Sequence, residues 1–101
     1  MSKKALTFRE RVIIIHCIKK YYEEKYNKND YEMFNNLFDD IMNINKYKYL
    51  NSFAYIDLHF FNNCLNIYIK NSKFIKENYE KYLIKNLLLK IESCILEYEK
   101  Q

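Results

Sequence analysis

Turned by about 100° per residue, four stretches of the chain separate into an apolar and a polar side. In the first, Phe8, Ile14, Ile15, Ile18, Tyr21 and Tyr22 share one half of a helix near residues 8–26, and Arg9, His16, Lys20, Glu23 and Glu24 share the other. Thr7 and Glu10 open it as a capping box, each side chain placed to satisfy the other's backbone N–H. In the second, near 30–44, Tyr31, Phe34, Leu37, Phe38, Ile41 and Met42 alternate with Glu32, Asn35, Asn36, Asp39, Asp40 and Asn43 at helical spacing, behind an Asn29-x-x-Glu32 start signal. Residues 43–52 read as a loop with room for one helical turn.

The third stretch, Phe53–Ile69, carries two competing patterns. Ile56–Phe60 and Leu65–Ile69 each alternate like strands, with Phe61-Asn62-Asn63 able to turn between them. Yet His59, Asn62, Asn63, Asn66 and Lys70 gather on one side of a single helix whose remaining circumference is apolar. One helix, near 52–70 and packed on both faces, accounts for all but one of these positions. The exception is Asp57. Arg11 is its counterpart, a charge on the apolar half of the first helix, and because an unpartnered buried charge is costly the two are expected to pair.

The last helix, near 73–98 with Ser72 as N-cap, carries two apolar stripes. Ile84, Leu87, Leu88, Ile91, Cys94, Ile95 and Tyr98 form the broad one, and Ile75, Tyr82, Leu89 and Leu96 recur every seven residues on nearly the opposite side. The first can face the domain's own core. The second needs another customer unless the helix breaks near Asn86, and it is the expected interface for a protein partner, first of all a second copy of the chain. The fold expected is all-α: one compact domain over 1–101, an antiparallel bundle of four main helices with the third most buried.

Composition supports this and narrows the chemistry. The 101 residues contain no glycine and no proline, which helices do without and hairpins and phosphate-binding loops do not. The wealth of Lys, Asn, Ile and Tyr also matches AT-rich codons, so position along the chain carries more weight than abundance. Half the residues are hydrophobic, too many for a disordered segment, and no apolar run approaches the roughly 18–20 residues of a membrane span. Three scattered cysteines, Cys17, Cys64 and Cys94, without paired or histidine-flanked spacing, suggest buried thiols in a reducing, cytoplasmic setting rather than disulfides or zinc ligands. No metal or cofactor site is expected, and the adjacent carboxylates Glu23-Glu24 and Asp39-Asp40 project apart on a helix and form no dyad.

Charge is uneven. Residues 1–28 carry +5, residues 29–45 carry −4, residues 46–73 carry +3, and the remainder balances, giving +4 overall. Lys19-Lys20-Tyr21-Tyr22 with Lys25-Tyr26, and Lys46-Tyr47-Lys48-Tyr49, mix cations with rings in the manner of single-strand nucleic-acid sites. Arg11-x4-His16, with Arg9-x6-His16 beside it, resembles the motif of HEPN-domain ribonucleases, small helical bundles that dimerise to build a metal-independent RNA-cleaving site. The resemblance spans six to eight residues and implies that the arginine and histidine of two subunits converge, with the histidine acting as acid or base in the reaction of a ribose 2′-hydroxyl. It departs from that family in lying on the first helix and in having Val12 where a polar residue usually follows the arginine. Three function classes follow in order: a small cytoplasmic interaction or regulatory protein of the inhibitor, immunity or adaptor type; a nucleic-acid-binding helical module; and a ribonuclease of this kind.

Overall fold

The computed structural model describes residues 3–26, 35–71 and 78–101 of the chain. Four helices run in order: α1 (Phe8–Tyr26), α2 (Asn35–Met42), α3 (Tyr55–Lys70) and α4 (Asn78–Glu99), with a 3-10 turn at Leu50–Ser52 before α3. The all-helical bundle with a long C-terminal helix is therefore observed. Residues 53–69 form a continuous helix from Tyr55 onward, not a hairpin, because their buried positions Leu58, Phe61, Cys64, Leu65 and Tyr68 recur at three and four. The starts expected for α2 and α4, with Asn29 and Ser72, lie outside the described residues.

Local chemistry explains the visible ends. Thr7 N donates to Glu10 Oε1 at 2.9 Å and Glu10 N donates to Thr7 Oγ1 at 3.1 Å, closing the capping box that starts α1. α3 begins three residues later than the expected position 52. Ser52 belongs to the 3-10 turn, and the residue before α3 is Ala54, whose side chain offers no cap. The turn is held instead from α4, where Tyr98 Oη donates to Phe53 O at 2.6 Å.

α3 is the centre of the bundle, in contact with both α1 and α4. Its antiparallel course along α4 is marked at both ends: Tyr55 Oη donates to Glu99 at 2.9 Å, and Tyr68 Oη donates to Glu80 at 2.6 Å. The core takes Ile14, Cys17 and Ile18 from α1, the five α3 residues, and Ile84, Leu87, Leu88, Ile91, Cys94 and Ile95 from α4. Each large side chain sealed here contributes about 1.5–3 kcal/mol. Phe8, placed by periodicity on the buried half of α1, is exposed instead.

An extended segment ahead of α1 adds a feature that periodicity does not announce. Leu6 N donates to Lys48 O at 3.1 Å and Leu50 N to Lys4 O at 2.8 Å, around an antiparallel bridge between Ala5 and Tyr49. Lys4 N also donates to Asn51 Oδ1 at 2.7 Å. The backbone polar groups of this short ribbon are thus paired while Leu6 and Leu50 turn into the core.

Candidate functional site

The outer face of α4 carries a row of exposed apolar side chains. Tyr82, Leu89 and Leu96 are 61%, 65% and 54% exposed, one above another along a helix that runs unbroken past Asn86. Ile75, the fourth member of the expected stripe, lies outside the described residues. The exposed apolar side chains elsewhere form no such row: Phe8 and Val12 are one turn apart on α1, and on α3 Ile56 and Ile67 are separated along their face by His59 and Asn63. A single apolar side chain in water is ordinary; a row in register is not.

Charges flank this row in a definite order. By helical spacing Lys85 and Glu92 border it on one side and Asn86 and Ser93 on the other, with Lys90 and Glu97 a further step round toward α1. Lys90 Nζ reaches Glu10 Oε2 at 2.8 Å, and Glu97 Oε2 accepts from Asn51 at 3.1 Å. Lys85 and Glu92 are exposed and make no ion pair among the described residues.

The expected Arg11–Asp57 pair does not form. Arg11 is buried, 1% exposed, as its place on the apolar half of α1 requires. Its guanidinium donates to two main-chain oxygens, Ile41 O and Tyr47 O, both at 2.6 Å. Asp57 is only partly buried in the first turn of α3, and desolvation together with nearby Asp40 raises its pKa. Burial lowers the pKa of Arg11, but an arginine stays charged throughout the ordinary pH range. What the guanidinium gains from Ile41 and Tyr47 is the satisfaction of carbonyls that end α2 and cross the following loop. Acceptors on the main chain carry no signature in the side-chain sequence, so spacing could not find them.

The same burial separates the two arginines of the Arg–His motif. Arg11 offers no face to an incoming molecule. Arg9 and His16 do, both lining a groove of about 340 Å³ between α1 and α4 together with Tyr79 and Glu80. Arg9 lies over the Tyr79 ring at 5.0 Å, and His16 meets the Tyr68 ring edge-on at 5.5 Å.

The lysine- and tyrosine-rich segments divide in a similar way. Tyr21 packs edge-on against Tyr22 and Phe60, Lys25 donates to Tyr21 Oη, and Lys20 lies 3.5 Å from Glu23, so this cluster is largely engaged with itself and α3. In the second segment Tyr47 turns inward and stacks on Phe53 at 4.5 Å, while Lys46 and Lys48 point out. The extended N-terminal segment brings Lys3 and Lys4 beside them, a placement that rests on backbone pairing across more than forty residues and has no local sequence signal.

Cys17, Cys64 and Cys94 are free and buried. Burial pushes the Cys64 thiol up to about 12 and raises Cys17 further still, so both are protonated and poorly nucleophilic at neutral pH. Among the described residues no group of three His, Cys, Asp or Glu side chains is placed to hold a metal ion, and no helix is long and apolar enough to cross a membrane. No family model matches this chain, and neither a curated protein nor a solved structure is significantly similar to it.

Proposed function

We propose that this protein is a small cytoplasmic regulatory module that works by presenting helix surfaces, and that it self-associates through the outer face of α4. The observation that carries this reading is the in-register exposure of Tyr82, Leu89 and Leu96 on a helix whose opposite face fills the core. Residues seven apart drift by only about 20° around a helix, so such a row suits a long, narrow partner, that is, another helix. A second copy of α4 supplies one with the same repeat.

The flanking charges select the direction of that pairing. Helices packed in parallel bring opposite flanks together, setting Lys85 and Glu92 against the uncharged Asn86 and Ser93, with no ion pair gained. Packed antiparallel, with a two-fold axis near Leu89, they set Lys85 of each copy beside Glu92 of the other. Tyr82 then meets Leu96, combining ring area with a hydroxyl that stays at the wet edge. Buried free thiols are compatible with the reducing compartment assigned here.

Sedimentation equilibrium tests the proposal. The wild-type chain is expected to dimerise at high micromolar concentration, and the Leu89→Glu/Leu96→Glu variant to remain a folded monomer. A wild type that stays monomeric at that concentration, or a variant that still dimerises, removes the basis for the reading.

A further inference from the structure

The ribbon between residues 3–6 and 47–50 joins two basic parts of the chain that lie far apart in sequence. Lys3, Lys4, Lys46 and Lys48 converge on one end of the molecule, and none makes an ion pair or a side-chain hydrogen bond among the described residues. Lys3 and Lys48 lie along the Tyr49 ring at 5.1 and 5.6 Å from its centre, and that ring is partly exposed. Two carboxylates at this end are already engaged, Glu10 with Lys90 and Glu97 with Asn51. The ribbon therefore gathers four unneutralised cations at one end of the molecule, Lys3 and Lys48 against the Tyr49 ring and Lys46 over the Tyr47 ring at 5.4 Å, with Lys4 next to Lys3 in the chain.

We infer that this ribbon is a binding site for single-stranded nucleic acid, with the four lysines contacting successive phosphates and Tyr49 stacking on a base. An exposed cation–π contact is weaker than a base stacked on an aromatic ring. An arriving base therefore displaces an ammonium group from Tyr49, and that ammonium moves onto the strand's backbone. An acidic peptide would satisfy the lysines but leave the ring unused. A membrane surface would favour a cluster of exposed aliphatic side chains, and here Leu6 and Leu50 are turned inward and Ile44 alone is exposed among the large aliphatic residues of 3–6 and 43–50. Phosphate contacts and ring stacking do not depend on a sugar hydroxyl, so RNA and DNA strands are expected to bind alike.

Fluorescence anisotropy with labelled uridine and thymidine 12-mers provides the test. Four phosphate contacts give a log–log salt slope of about −3, or a loss of about fiftyfold in affinity between 50 and 200 mM salt. Lys46→Gln with Lys48→Gln should roughly halve that slope, whereas Tyr49→Leu should weaken binding about tenfold at every salt concentration and leave the slope alone. Lys70→Gln with Lys100→Gln removes the same charge from exposed positions on α3 and after α4 and should change little; far-UV circular dichroism confirms that each variant is folded. The inference is overturned if the 12-mers do not bind at low salt. It is overturned equally if the Lys70/Lys100 control loses as much affinity as the ribbon variant, or if the wild type binds phosphatidylserine vesicles and neither 12-mer.

Discussion

On the inner face of α4, Ile84, Leu87, Ile91 and Cys94 are sealed within the bundle; on its outer face, Tyr82, Leu89 and Leu96 stand in solvent. Both rows are apolar and both follow helical spacing. They differ in width. The inner residues recur at three and four, covering an arc broad enough to seat against two neighbouring helices, whereas the outer ones recur only at seven and make a single file. Apolar periodicity thus identifies a face that seeks burial, and the width of the stripe tells whether the chain itself can provide the cover.

The sharpest way to break this comparison is to shorten one side chain on each face. Ile91→Ala or Leu87→Ala should cost about 2–5 kcal/mol by opening a cavity in the core. Leu89→Ala should stay within about 0.5 kcal/mol. Urea unfolding at low protein concentration, where self-association does not contribute, measures both; equal losses would place the outer row in the core.

Two arginines offer a second contrast, two positions apart on α1. Arg11→Leu leaves the Ile41 and Tyr47 carbonyls buried without a donor, at about 1–3 kcal/mol for each group, so a loss of about 2–5 kcal/mol is expected in the same urea experiment. Arg9→Leu, at an exposed position, should shift stability by no more than about 0.5 kcal/mol. Near-equal losses would mean that the guanidinium clamp is not holding the α2 end of the molecule.

The proposed pairing of outer faces is sharpened by exchanging charge. Lys85→Glu should weaken the dimer by about 0.2–1 kcal/mol for each of the two symmetric pairs, and adding Glu92→Lys should restore it, as read by sedimentation. Restoration fails if the helices pair in parallel, because the exchanged residues then never meet.

The smallest effect expected is at Asp57. Its folded pKa is raised by desolvation first and by Asp40 second, so the ionised carboxylate opposes folding at neutral pH. The group's share of stability therefore improves as pH falls through the raised value toward the ordinary carboxylate value near 3.8. Asp57→Asn should stabilise the protein slightly at pH 7, by well under about 1 kcal/mol because the group is partly solvated. That gain should vanish on acidification. A variant less stable than wild type at pH 7 would indicate that the position of Asp57 in the first turn of α3, where a carboxylate is favoured, outweighs its desolvation.

Much of the architecture was legible because helices advertise themselves locally. The Thr7–Glu10 box marked the start of α1, and the polar arc of His59, Asn62, Asn63 and Asn66 distinguished one helix from two strands in α3. The outer row of α4 could be read for the same reason. What escaped was non-local or lay in the main chain. Nothing near Lys4 or Ala5 indicates a pairing with Lys48 and Tyr49, and no side-chain pattern reveals that Ile41 and Tyr47 offer carbonyls to Arg11. Asp57 was the natural partner only while side chains alone were considered. Phe8 shows the opposite error, since the first turn of α1 reaches beyond the core even though its periodicity is intact.

The dependence of the core on α4 also bears on how the chain matures. Ribosomes deliver α1, α2 and α3 before they deliver the helix that covers them, and the ties between Glu10 and Lys90 and between Asn51 and Glu97 join early residues to late ones. A chain ending before α4 would lack the face formed by Ile84, Leu87, Ile91 and Cys94, and would leave the α3 side chains packed against it exposed to water.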